Sequence, residues 1–106
     1  MSQIKVKICG VTDVLTAIEA EKNGADAIGL VFCKKSKRCI SIELAKKIIF
    51  SLKPFTVIVA LFSNDDKGYV DSILKSLQIN LIQFHGNELD EDCIKYGIPY
   101  IKGVAV

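Results

Sequence analysis

Thr56-Val57-Ile58-Val59-Ala60-Leu61-Phe62 is apolar from its second residue to its last. A strand with one solvated face alternates apolar and polar side chains, whereas an unbroken apolar strand is covered on both faces. The run is too short for a core helix, is rich in β-branched residues, and follows Pro54. It reads as a central strand of a parallel sheet, and such a strand needs helices beside it in the chain. Both flanks supply one. Ser41 can cap a helix with Glu43 near its positive end, Leu44, Ala45, Ile48 and Ile49 on its inner face, and Pro54 beyond its end. After the strand, Asn64 and Asp65 are expected to cap a helix with Val70, Ile73, Leu74 and Leu77 at i, i+3, i+4 and i+7.

The same unit recurs outward. Ala25–Phe32 is a buried strand, preceded by a helix that Thr12 or Asp13 can cap and that turns Val14, Ala17, Ile18 and Ala20 inward. Gly24 stops that helix, where a left-handed backbone costs glycine least. Ile4–Gly10, Ile-Lys-Val-Lys-Ile-Cys-Gly, opens the series as a strand in which Ile4, Val6 and Ile8 alternate with Lys5 and Lys7. Downstream come a strand at Asn80–His85, a short helix at about Asp90–Tyr96 bounded by Gly97 and Pro99, and a strand at Tyr100–Val106. Strand centres recur about every 24 residues, which means parallel strands joined by right-handed crossovers. An open doubly wound sheet and a closed eight-stranded barrel both fit that alternation. No covering helix follows Tyr100–Val106, and eight units at this spacing need about 190 residues, close to the usual barrel size. The expected fold is α/β of the (β/α)8 TIM-barrel class. Residues 1–106 would form the amino-terminal portion of one barrel domain, about four and a half βα units.

Bulk properties narrow the function. Half of the 106 residues are hydrophobic and 25% are charged, which excludes a disordered chain. A net charge of +2 on scattered lysines leaves no footprint for nucleic acid. No apolar run approaches the roughly 18 residues of a membrane span. Met1 leads into a strand rather than a signal-peptide core, so the cytoplasm is the expected location. Cys9, Cys33, Cys39 and Cys93 make no C-x-x-C pair and share the chain with 1 histidine, so neither disulfides nor zinc are expected. No glycine-rich phosphate loop follows a strand, which leaves a nucleotide cofactor without support.

In either architecture a ligand binds at the carboxyl ends of the strands. The residues there are Cys9, Cys33–Arg38, Ser63, Asn64 and His85, whereas the opposite ends carry turn residues such as Gly24, Pro54 and Gly97. Cys9 can act as nucleophile or general base, or pack as a small buried residue. Arg38 can clamp a carboxylate or phosphate through its planar fork, or be solvated among Lys34, Lys35 and Lys37. His85 can bind substrate, shuttle a proton, or be satisfied by backbone groups. Gln83 shares its face and suits a structural hydrogen bond. Cys33, Cys39 and Cys93 read as packing or surface residues.

Lys7-Ile8-Cys9-Gly10 with Val11-Thr12, then Gly24–Phe32, resembles the start of the phosphoribosylanthranilate isomerase family of tryptophan biosynthesis. The likeness continues through Lys35–Arg38, Ser41-Ile42-Glu43, Val59–Asn64, Gln83–Gly86 and Ile101–Val104, and departs at Cys33, Lys34, Ser63 and Phe84. The resemblance implies a (β/α)8 barrel and a cofactor-free Amadori rearrangement of a phosphosugar-anthranilate substrate. It implies Cys9 as general base, Arg38 as holder of the anthranilate carboxylate, and His85 as a lining residue of the substrate pocket. The family's general-acid aspartate and phosphate-binding loops belong to later strands, so the 106-residue chain is expected to be inactive alone. Two other readings stand beside it: a half barrel that self-associates through its strand edges, and a small flavodoxin-like binding protein.

Overall fold

In the computed structural model, which describes residues 6–103, the apolar run Val57–Phe62 (β3) is the middle strand of a five-stranded parallel sheet. The others are β1 (Lys7–Cys9), β2 (Ala27–Val31), β4 (Leu81–Phe84) and β5 (Tyr100–Lys102). Between them run α1 (Val14–Lys22), α2 (Ile42–Ser51), α3 (Lys67–Ser76) and the short α4 (Asp90–Cys93), which tightens into a 3-10 turn at Ile94–Tyr96. Ile4 and Lys5 of the expected first strand, and Val104–Val106 of the expected last, lie outside the described residues.

Strand order decides between the two architectures. The strands lie side by side in chain order, β1-β2-β3-β4-β5, each parallel to the next. A flavodoxin-like sheet reverses direction at a switch point and runs 2-1-3-4-5, so that reading is overturned. Without a reversal, right-handed crossovers place every helix on the same side. The packing agrees. One core joins Ile28, Leu30, Ile58, Ala60, Phe62, Ile82 and Phe84 of the sheet to Ala17, Ala45, Ile48, Val70 and Ile73 of the helices. The other face holds Val31, Val59 and Leu61, with Cys9, Ala27, Cys33 and Leu81 against them, and no helix residue. This is barrel geometry, with helices outside and a lining of strand side chains inside.

Alternation on β1 follows from its register. Ile8 pairs with Ile28 on the helix side and is 37% exposed, since β1 borders only β2 among the described residues. Lys7 and Cys9 therefore share the inner face.

The caps follow the expectations except at α3. Asp13 accepts from the Thr16 amide at 2.7 Å and Ser41 from the Leu44 amide at 3.1 Å. Gly24 takes φ +95 just beyond α1. The cap of α3 is Asp66, which accepts from Gly68 at 3.2 Å, rather than Asn64 or Asp65. Asp65 is engaged elsewhere, accepting from the Ser63 and Lys34 amides at 2.9 and 3.2 Å. Asn64 sits in the left-handed region at φ 55.

Aromatic rings fill the outer core beneath the carboxyl ends of the strands. Phe62 stacks on Phe32 at 5.9 Å, lies 6.4 Å from Phe84 and meets Tyr69 edge-on at 6.3 Å. The Tyr69 hydroxyl donates to the Phe32 carbonyl at 2.6 Å. Burial pushes its phenol up to about 12, with the Cys39 thiol and the Asp65 carboxylate adding to the shift. Burial also raises Tyr96 and Tyr100, helped by Asp71 and Asp90 respectively. An unfolded tyrosine ionises near pH 10. Between about pH 10 and 12 the unfolded chain therefore releases a proton that folded Tyr69 keeps, and stability falls as pH rises. Absorbance titration at 295 nm is expected to show all 3 tyrosines ionising late, with Tyr69 last. Tyr69→Phe should remove the last component, and urea should return the rest to about 10. A final folded-state component near 10 would contradict the assignment.

Candidate active site

The carboxyl ends of the strands form one rim, and the sequence around Gly10 explains how Cys9 and Arg38 meet on it. At φ +78, Gly10 turns the chain off β1 so that the amides of Gly10 and Val11 both donate to the Gly29 carbonyl, at 3.0 and 3.3 Å. A β-carbon at Gly10 would collide with the Arg38 guanidinium, so Arg38 lies directly over the residue that follows Cys9. Gly29 opens the space on the other side. A β-carbon there would stand 3.1 Å from the Cys9 Sγ and 3.0 Å from Leu61 Cδ1. Any side chain at position 29 would therefore crowd the half-buried thiol.

Arg38 is presented by a tightly turned loop. Ser36 N donates to the Cys33 carbonyl at 3.0 Å, Cys39 N to the Ser36 carbonyl at 3.2 Å, and Arg38 N to Ser36 Oγ at 3.1 Å. The Ile40 amide then bonds the Val31 carbonyl at 3.0 Å and returns the chain to the sheet. Among the described residues no carboxylate forms an ion pair with Arg38. Its fork is thus available to an anionic group of a ligand.

His85 follows β4 directly, and its amide donates to the Phe62 carbonyl at 2.9 Å. Its ring stands over Gly103, where a β-carbon would come within 2.7 Å of Nδ1 and Cε1. Nε2 lies 2.6 Å from Gln83 Nε2, and Gln83 Oε1 accepts from the Lys7 ammonium. The hydrogen-bonding role expected of Gln83 is therefore present.

A cavity of about 210 Å³ opens at this pole, lined by Val31, Cys33, Ser36, Arg38, Leu61, Phe62, Ser63 and His85. Cys9 packs beside it, on the inner cluster that contains two of the lining residues, Val31 and Leu61. The guanidinium and the imidazole thus line one depression, and the sulfur stands at the same pole, next to the Gly10 that Arg38 covers. A cysteine sulfur in its thiolate form can accept a proton from a carbon acid while a guanidinium anchors an anion. Among the described residues no cluster of histidine, cysteine and carboxylate side chains could hold a metal ion. No helix among them is long and apolar enough to cross a membrane.

The family model for N-(5'-phosphoribosyl)anthranilate (PRA) isomerase matches residues 6–106. This chain belongs to the phosphoribosylanthranilate isomerase family. The phosphoribosylanthranilate isomerase of Azotobacter vinelandii is 46% identical to it over 106 residues, which cover 100% of this chain and 52% of the relative. The Thermotoga maritima phosphoribosylanthranilate isomerase structure superposes with a TM-score of 0.88 at 40% identity, over 94% of this chain and 50% of that one. A phosphoribosylanthranilate isomerase solved in complex with reduced 1-(o-carboxyphenylamino)-1-deoxyribulose 5-phosphate matches as well, with a TM-score of 0.88, 40% identity, and coverage of 94% and 53%. The chain spans about half the length of the curated relatives it matches. The (β/α)8 class expected from the repeat is therefore correct, and these residues form a barrel-like half of that fold.

Three groups that shape this rim escaped the sequence reading. Asp65 ties the loop after β3 to the loop after β2 through Lys34 N. Glu88 accepts from the Asn64 amide at 2.6 Å and the Gly86 amide at 2.8 Å, and Asn64 Oδ1 accepts from Asn87 N at 2.8 Å, so the loops after β3 and β4 are tied too. Lys7 is the third. Its place two residues before Cys9, on the same strand face, was the available signal. For Asp65 and Glu88 nothing in the spacing distinguishes a loop brace from a helix cap.

Proposed function

We propose that this chain supplies the general base and half of the substrate pocket of an N-(5'-phosphoribosyl)anthranilate isomerase. The reaction opens the ribose ring to a Schiff base, removes the proton from sugar C2, and returns a proton to C1 as C2 becomes a ketone. Hydrogen moves within the substrate's carbon frame, so the electron balance closes without an outside oxidant or reductant. In this reading Cys9 takes the C2 proton. Arg38 grips the carboxylate of the anthranilate ring, the group that the o-carboxyphenylamino moiety of the relative's ligand also carries. His85 lines the pocket. The observation that carries the reading is the common rim: Arg38 lies over Gly10, the residue after Cys9, and Arg38 and His85 line one cavity, in a member of this family.

The test pairs the chain with the half its relatives have beyond it. Residues 1–106 alone are expected to show no turnover of the aminoaldose. Fused to the complementary half of the Azotobacter vinelandii protein, they are expected to regain isomerase activity. A folded fusion without turnover would overturn the proposal.

A second reading, self-association, has its own support. The inner face presents Val59 and Leu61, and β1 and β5 each pair on one side only among the described residues. Unpaired edges invite strand addition, and a two-fold pair would close both. A monomeric sedimentation coefficient for the isolated chain at tens of micromolar would rule it out.

A further inference from the structure

The inner face carries a line of polar groups that the base and the carboxylate clamp do not use: Lys7 on β1, Gln83 on β4 and His85 just beyond it. Gln83 is 8% exposed and reaches Lys7 through Oε1 and His85 through Nε2. Lysine has donors and no acceptor, so the end of the amide that faces Lys7 must be its oxygen. The end that faces His85 is then the NH2 group, which can only donate. At 2.6 Å from it, His85 Nε2 must supply the lone pair.

We propose that Lys7 and Gln83 form a positioning relay that holds His85 in the tautomer protonated on Nδ1. The orientation of an amide and the tautomer of an imidazole are both set by hydrogen-bond partners, and here the lysine, donor-only, breaks the tie for both. The consequence is chemical. The one lone pair of neutral His85 is engaged by Gln83, so the ring has none free to take a proton from a substrate carbon. What it offers a ligand is the Nδ1–H, a donor for a hydroxyl, carbonyl or carboxylate oxygen. Of the three rim groups that leaves Cys9 as the one able to accept a proton, since a guanidinium stays charged. Lys7, which reaches the ring through Gln83, is a positioning residue. The inference deepens the isomerase reading, and depends on it only for what His85 then meets.

The tautomer can be read without substrate. His85 is the chain's 1 histidine, so two-bond 1H–15N correlation spectra of the uniformly 15N-labelled protein contain a single imidazole pattern. At a pH where the ring is neutral, the wild type is expected to show a pyrrole-like Nδ1 and a pyridine-like Nε2. Gln83→Glu places a carboxylate against Nε2 and is expected to move the proton there, exchanging the two patterns. Lys7→Met frees the amide to turn and is expected to shift the wild-type pattern toward the Nε2–H form that free imidazole side chains favour. Folding of each variant is checked by the dispersion of its amide spectrum. A wild-type spectrum with the proton on Nε2 overturns the relay outright. A folded Lys7→Met protein with an unchanged pattern removes Lys7 from it. Since the spectra need no turnover, a wrong tautomer in a protein whose fusion is active would sink the relay and leave the isomerase reading standing. The right tautomer with an inactive fusion would do the reverse.

Discussion

Phe62→Ala is expected to cost about 3–5 kcal/mol of folding stability, the range for truncating a fully buried aromatic ring. Phe62 is 1% exposed and sits on the central strand, between Phe32 on one side and Phe84 on the other, with the Tyr69 ring edge-on above. Aromatic pairs of this geometry each add about 0.5–1.5 kcal/mol beyond the area they bury. The hole cannot close easily. Phe32 and Phe84 are fixed to neighbouring strands by the ladder that pairs Val31 with Leu61 and Phe62 with Phe84. Whole domains are stable by only about 5–15 kcal/mol, so the loss removes a large share. Urea unfolding followed by circular dichroism should show a midpoint far below wild type, or no folded baseline. Phe55→Ala is the control: Phe55 is 97% exposed, and its truncation should change stability by no more than about 0.5 kcal/mol. A Phe62→Ala loss below about 1 kcal/mol, outside the range for such rings, would show that the core is not organised around this ring. The effect reaches the site, because Phe62 lines the rim cavity and its carbonyl receives the His85 amide.

That coupling explains what could and could not be read from the sequence. Local rules suffice where one residue type satisfies one need. An unbroken apolar run marked β3, the i, i+3, i+4, i+7 spacing marked α3, and Gly24 marked the end of α1. The rim was legible too, since topology alone puts Cys9, Arg38 and His85 after the strands that carry them. The misses lie where several residues could do the same job. Asn64, Asp65 and Asp66 are three successive capping residues, and nothing in the chain says that Asp65 will be drawn to Lys34 and Ser63, leaving the cap to Asp66. Strand order, which the expected barrel implied correctly, follows from no local rule. The alternation of strands and helices is the same in a barrel and a doubly wound sheet, and only the pairing of β1 with β2, with β3 on the far side, separates them. The Lys7–Gln83–His85 line needs β1 and β4 placed together by the whole sheet before it exists at all.

Cys9→Ala, placed in the fusion that completes the barrel, is expected to lower kcat by about two to four orders of magnitude, the contribution of a positioned general base. The change should fall on kcat rather than KM, because the groups proposed to hold substrate, Arg38 and His85, are separate residues on other loops. Loss of a contact made as the proton leaves C2 affects the transition state and not the ground-state complex. Folding should be nearly untouched. The thiol is half-buried beside Gly29, where alanine keeps the β-carbon and removes a single sulfur. An inactive protein with a wild-type unfolding midpoint is therefore the expected pair of results. Cys9→Ser sharpens the test. Serine keeps a polar atom at nearly the same point, but its hydroxyl does not ionise as a thiol does, so a base requiring a thiolate is lost with it. If Cys9→Ser kept most of the turnover, the residue would be a hydrogen-bonding contact. If Cys9→Ala kept it, the proton would have to be taken by another group, and with His85 Nε2 held by Gln83 that group would lie in the half of the barrel beyond this chain.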